Sequence, residues 1–443
     1  GLLWPDRTPH PGFFEFKYLA QPVKVVRYHR KAHTLEIRNQ QDFDTLAWLQ
    51  GHWELKLDGH SLATGELPAL DAAPHKTQRL RLRLPDWKEA AANGGEVFLN
   101  VRFLTAHATG WCDAGFEVGR QQLALSHPKT KGRKRAAKSG PTPADGGALT
   151  LHETGDGSVT IRNAAVSMGV SLHEGLITSL CWGEKEMLVS GPRLQIWRGA
   201  TDNDGIKITK EAGRPLGKWL AQGLDALELR LISAKIKPQH GAGAVTLAVE
   251  HVGACAASPQ AVRHRCDYTL RPDGSLLAEN TFEVDEAVPD MPRLGVVLVL
   301  PGDFEHLSWF GRGPLENYSD RHRSALIDVY EDTVTGQYVP YVMPQEHGNH
   351  TDVRWLSLDD QKAGLRVRAC GQPLEFSASH YTAADLFAAY HTFDLKPRAE
   401  VILNLDYRQR GLGTASCGPD ALDEYKIGPG HYKWSYILEP VRL

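Results

Sequence analysis

Glu316, Asn317, Asp320 and Arg321 lie within the segment Trp309–Arg321, WFGRGPLENYSDR. Two carboxylates, an amide and a guanidinium so close in sequence can contact a sugar, or can pair with one another and with backbone to lock a long loop. The surrounding aromatics, glycines and proline fit neither a helix nor a strand period, so the segment reads as a loop held by side-chain hydrogen bonds. Structural pairing is therefore the favoured reading and sugar contact the minority one. Acid–base or nucleophilic chemistry by paired carboxylates would need two carboxyl groups facing one another across the bond to be broken. Glu316, Glu346 and Asp352 are available, but nothing in their spacing pairs two of them for that chemistry.

Three further clusters carry reactive or ligating groups. Thr201-Asp202-Asn203-Asp204-Gly205 resembles a calcium loop in composition. An EF-hand needs glycine at position 6 and a bidentate glutamate at 12; with Asp202 as position 1, Gly205 falls too early, and Asx-turns in a tight loop are the simpler account. His347, His350 and Asp352 have a loose metal-like spacing, too weak to assign a metal. Cys417 sits in the loop Gly411–Pro419, whose glycines allow close approach to a neighbouring element. No histidine partner is evident that would make its thiol a nucleophile. An ordinary hairpin loop and a substrate-facing loop both remain open at this point.

The elements that position these groups are mostly strands. A chain of 443 residues is too long for one ordinary core and suggests two or three domains. Residues 1–20 contain Pro9 and Pro11, which exclude a helix interior there, so they read as a connector or the end of a preceding domain. Residues 21–126 alternate at the strand period in Val23–Tyr28, His52–Leu57 and Gly95–Phe103, with Asp58-Gly59 as a hairpin turn, and suggest an immunoglobulin-like sandwich. Residues 127–147 are basic and rich in proline and glycine; they read as a disordered linker, with a nucleic-acid patch as the alternative. Residues 148–443 are again strand-rich, as in Ser158–Arg162, Ala244–Val249, Leu294–Leu300 and Val401–Tyr407, without strand–helix alternation, and imply a large antiparallel sandwich. Thr382–Ala389 is a helical candidate capped by Thr382. The fold class expected is all-β.

A net charge of −3 gives no whole-chain argument for nucleic acid, and the longest clearly apolar run, Leu294–Leu300, is too short to span a bilayer. The six cysteines lack CxxC spacing and suggest reduced thiols of a cytoplasmic protein. The chain opens on Gly1 and then apolar Leu2, Leu3 and Trp4, as a piece cut from a longer protein would. Exposure of these residues with Phe13 and Phe14 would make the isolated piece poorly soluble.

Several segments, in order, resemble the lactose-hydrolysing β-galactosidases: GLLWPDRTPHP at the start, WRGATDNDG at 197–205, WFGRGPLENYSDR at 309–321, YVPYVMPQEHG at 338–348 and DYRQRGLGTASCGP at 406–419. The resemblance runs almost end to end, with the basic segment as the clear departure. It implies a stub of a catalytic (β/α)8 barrel, an immunoglobulin-like connector and a large sandwich of the galactose-mutarotase type. A barrel needs on the order of 250 residues, for which this chain has no room. The resemblance implies that both catalytic glutamates, with the magnesium and monovalent cation of that family, belong to the barrel, so this chain should hold no cofactor and be inactive alone. It places Cys417 where many members carry a substrate-stacking tryptophan, puts Asp202, Asn203, Asp204 and Gly205 near substrate, and makes 205–213 a mobile lid. The partners implied are the barrel portion, a β-galactoside and further copies of the enzyme. A separate complementing small subunit or sugar-binding module is an alternative. So is an aldose epimerase, which would need a His/His/Glu constellation in a pocket.

Overall fold

Alternating apolar residues meet at two separate cores. The computed structural model describes residues 2–89, 91–92, 94–126, 146–238 and 243–442. Two compact units are present: the first holds the described residues of Gly1–Lys138 with Arg312–Pro314 and His322–Val329, the second those of Ser139–Gly311, Leu315–Arg321 and Tyr330–Leu443.

In the first unit, Val23–His29, Thr34–Asn39 and Thr77–Arg81 form a three-stranded antiparallel sheet. A four-stranded sheet runs in the order His60–Glu66, Leu49–Leu57, Val97–Thr105, Glu117–Ala124. Their inward residues, Val23, Val25, Leu35, Ile37, Leu55, Leu99, Val101 and Phe103 among them, share one core. Seven strands in two antiparallel sheets are the expected sandwich. Asp58 and Gly59 both take positive φ, 49° and 84°, the twist-matched two-residue turn that the Asp-Gly pair signals.

The second unit is larger. A nine-stranded antiparallel sheet, most of whose residues belong to this unit, runs Glu228–Pro238, Val245–Cys255, Ser258–Leu270, Leu276–Val284, Gly430–Arg442, Ala363–Cys370, Trp355–Asp359, His306–Gly313, Leu326–Thr333. A five-stranded sheet runs Ser190–Gln195, Arg293–Leu300, Val401–Gln409, Leu374–Ser379, His350–Val353. A second sheet of five covers Thr150–Leu188. Leu247, Leu276, Phe282, Leu298, Trp309, Phe376 and Leu403 are fully buried within the common core of these sheets. The all-β expectation therefore holds, and the chain is built from antiparallel sandwiches.

Three expectations need correction or fall away. Residues 1–20 contain a helix, Pro11–Leu19, because Pro11 occupies its first turn, where a missing N–H costs nothing. That helix buries no residue; Phe14, Phe16 and Leu19 are exposed, as are Leu2 and Leu3, while Trp4 and Phe13 are partly covered. Trp309–Gly313 is strand, not loop: both of its faces are covered, which erases the alternation that would have signalled it. The basic segment lies, from 127 to 145, outside the described residues. The helix at Ala383–Ala388 is as expected, with Thr382 and Asp385 forming a reciprocal capping box. Among the described residues no helix is long and apolar enough to cross a membrane.

Candidate functional site

Two loops of the second unit, far apart in sequence, are cross-tied into one rim. The first follows strand Ser190–Gln195. Arg198, fully buried, donates from Nη2 to Asp204 Oδ1 at 2.6 Å and from Nε to Oδ2 at 3.1 Å, while Nη1 donates to the Arg410 carbonyl at 2.7 Å. Asp204 Oδ2 also accepts from the Thr201 N–H and hydroxyl, both at 2.9 Å. This fork explains the Thr-Asp-Asn-Asp spacing: the last carboxylate turns inward, folds the loop and satisfies a buried guanidinium. Asp204 is completely enclosed, and Gly205, at φ 140°, is buried beside it. Asp202 instead lies exposed, its N–H donating to Gln345 Oε1 at 2.5 Å, and Asn203 is half-buried.

The second loop leaves strand Val401–Gln409. Asp320 caps it, accepting from the Leu412 and Gly413 N–H groups at 2.9 and 2.7 Å. Gly411 is required because a Cβ there would meet Asp320 Cγ at 2.7 Å, and Gly413 combines φ 60° with a close approach to Ala421. The loop closes on itself where Thr414 Oγ1 donates to the Pro419 carbonyl at 2.8 Å and the Cys417 N–H to the Thr414 carbonyl at 3.0 Å. Cys417, a free thiol, is exposed at the tip. Two contacts join the loops: the Ser416 hydroxyl donates to the Asp202 carbonyl, and Arg214 donates to the Ala415 carbonyl. Asp202, Asn203 and Cys417 thus share one edge, while Asp204 and Gly205 support it from within.

The frame beneath uses its charges structurally. Glu316 accepts from Arg321 at 2.6 Å, from the Tyr341 hydroxyl at 2.5 Å and from the Gly348 N–H at 2.9 Å. Burial would raise its pKa, but these partners hold it below the usual value. Asn317 accepts from both the N–H and the hydroxyl of Thr351. The loop-locking reading of Glu316, Asn317, Asp320 and Arg321 is what the structure shows. Deeper, Arg293 bridges Glu346 at 2.6 Å and Asp406 at 3.0 Å, and Gln409 and Asn349 connect this cluster to Glu375. Burial lifts the carboxyl of Asp406 to about 8 and that of Glu375 to about 7.

Sequence reasoning missed Lys207, Arg214 and Ser416. Lys207 is 3% exposed and donates from Nζ to the carbonyls of Pro344, Leu386, Phe387 and Ala389. Burial draws its pKa down to about 8. This pins Lys207, near the start of 205–213, to Pro344 and to the end of the helix at 383–388, a long-range contact no local pattern announces. Helix Pro215–Gln222 was also missed, although Pro215 at its start and Gly223 in the left-handed region at its end mark it. His347 and His350 turn inward: His350 Nε2 meets Gln337 Oε1 at 2.6 Å and its ring packs 4.4 Å from that of Trp309, while His347 Nδ1 donates to the Gln345 carbonyl.

Residues 162–438 match the family described as Beta galactosidase small chain, and residues 35–126 match that described as Beta-galactosidase, domain 4. A Beta-galactosidase of Priestia megaterium is 29% identical over 416 residues, covering 93% of this chain and 38% of that protein. A Beta-galactosidase of Aeromonas hydrophila is 30% identical over 448 residues, covering 99% and 41%. The chain thus spans about two fifths of the length of these relatives. Among solved structures, galactose 1-epimerase from Lactobacillus acidophilus NCFM aligns with 66% of this chain and 98% of its own at 10% identity and a TM-score of 0.31. With the family match extending over more than half of its residues, the chain belongs to the β-galactosidase small chain family.

Proposed function

We propose that this chain is the non-catalytic C-terminal portion of a β-galactosidase that hydrolyses terminal β-D-galactosides such as lactose with retention. The observation that carries this reading is the rim itself. Two loops are cross-tied so that Asp202 and Cys417 are exposed and Asn203 half-buried, while Asp204, Glu316, Asp320, Glu346 and Asp406 are committed to arginines or backbone N–H groups. Carboxylates held in this way are not placed to attack or protonate a glycosidic bond, which needs an opposed pair able to reach the sugar. The two glutamates that do so belong to a barrel portion, and the sandwich shapes the aglycone side of its pocket. Magnesium and the monovalent cation of that chemistry are assigned to the barrel too. Among the described residues no group of three or more histidine, cysteine, aspartate or glutamate side chains could hold a metal ion, and a carbonyl cluster suited to a monovalent ion is filled by the Lys207 ammonium.

The exposed apolar residues Leu2, Leu3, Phe14, Phe16 and Leu19 support a protein partner, for which we assign the barrel portion, with further copies of the enzyme in the assembly. Six free thiols agree with a reducing compartment such as the cytoplasm. A separate small subunit that complements a barrel-bearing partner is the second reading, favoured by the same exposed patch.

The test is complementation. Mixed with a barrel portion lacking these domains, the chain is expected to restore release of nitrophenol from an aryl β-D-galactoside; no restoration at micromolar concentrations of both would reject the reading. In the restored enzyme, Cys417→Trp should lower KM for the aryl substrate. An added aromatic contact is worth about 0.5–1.5 kcal/mol, or roughly 2- to 13-fold. An unchanged KM would remove Cys417 from the aglycone side.

A further inference from the structure

Away from the rim, the second unit contains a cavity of about 240 Å³ lined by His173, Glu174, Arg193, His251, His264 and Tyr268, together with leucines from three strands. It is a built site. The turn carrying His173 and Glu174 is held against the large sheet by the His251 Nε2–H, which donates to the Glu174 carbonyl at 2.8 Å. Gly175, at φ 64°, permits that approach, since a Cβ would meet Leu231 Cδ1 at 2.4 Å and His251 Cε1 at 3.1 Å. His264 is 2% exposed, stacked on Phe282 at 4.6 Å and bonded to Asn280 at 2.9 Å. Arg263 and Arg265 of the same sheet pair with Glu250 and Glu283. Arg193 pairs with no carboxylate among the described residues and lines the cavity.

The lining selects a ligand class. Arg193 can only donate, Glu174 can only accept, and a neutral imidazole does one of each. An anion would share the cavity with the acidic Glu174 and a metal cation with the basic Arg193, whereas a neutral polar ligand can serve both residues. Hydroxyl groups satisfy both kinds, and the C–H face of a sugar suits the leucines and Tyr268. The volume lies below the roughly 300–1,000 Å³ of sites for drug-sized ligands, so the occupant is a single ring. We propose that this cavity binds a neutral monosaccharide at a site separate from the rim that Asp202 and Cys417 form.

The test is calorimetric titration of the full chain with D-galactose, D-glucose and inorganic phosphate, repeated with Arg193→Met, Glu174→Gln and Cys417→Ala. Arg193 and Glu174 are exposed, so both variants should fold. Expected is saturable binding of at least one sugar with Kd of roughly 1 mM or tighter, weakened at least about tenfold by Arg193→Met and by Glu174→Gln. Cys417→Ala should leave it unchanged. Absence of saturable sugar binding, phosphate binding in place of sugar, or loss of binding in Cys417→Ala alone would overturn the proposal. The last result would leave the rim assignment standing.

Discussion

Arg293→Met is expected to lower the stability of the second unit by about 3–5 kcal/mol, the cost of leaving buried charge without its partner. Arg293 is fully buried and is the shared cation of Glu346 and Asp406, which sit on different elements of the frame beneath the rim. Methionine roughly preserves the apolar stem but strands both carboxyls. One of them can take up a proton, which softens the loss at low pH and not at high pH, so the effect should be larger at pH 8 than at pH 6.5. Urea unfolding at the two pH values measures it. A loss below about 1 kcal/mol at both would show that the cluster tolerates an uncompensated charge and that its geometry is incidental.

The second large effect is a decline in stability as pH rises from about 6.5 to 8. Asp406 and Glu375 titrate near 8 and 7 in the folded chain because burial disfavours their charged forms. In an unfolded chain they titrate near about 4. Between those values the folded state binds more protons than the unfolded state, so stability is lost with rising pH. Burial draws His264 down to about 4 and Lys207 down to about 8. His264 therefore adds stability with rising pH between about 4 and 6.5, and Lys207 does so above about 8. The interval between is where the carboxyls dominate. Glu375→Gln keeps an oxygen for the Gln409 N–H and the Asn349 amide but carries no charge. At pH 8 it should stabilise the chain by on the order of 1–3 kcal/mol. Urea midpoints that stay flat or rise between pH 6.5 and 8, or a destabilised Glu375→Gln at pH 8, would contradict the assignment.

What could be read from the residues alone depended on how local the determining force was. Asp58-Gly59 and the Thr382 cap are specified by neighbours within a few positions, and both stand as expected. Glu316 and Arg321, five residues apart, were legible as a pair for the same reason. Trp309–Gly313 was misread because a strand covered on both faces has no alternation to display. Pro11 reads as a helix breaker in the sequence and Pro215 carries no sequence reading, although the first turn of a helix tolerates both. The joining of Asp202 to Ser416, and of Lys207 to the carbonyls of Pro344 and Leu386, spans well over a hundred residues. Such contacts are set by sheet order, which no single segment encodes.

We propose that these sandwiches shape a sugar site whose bond-breaking groups lie elsewhere. The most direct test is release of galactose from lactose by the purified 443-residue chain with no other protein present. We expect none above the uncatalysed background, at any pH between about 5 and 8, within which a glycosidase acid/base pair would operate. Sustained turnover that co-purifies with the chain and disappears when one of its own carboxylates is replaced by the amide would contradict the account.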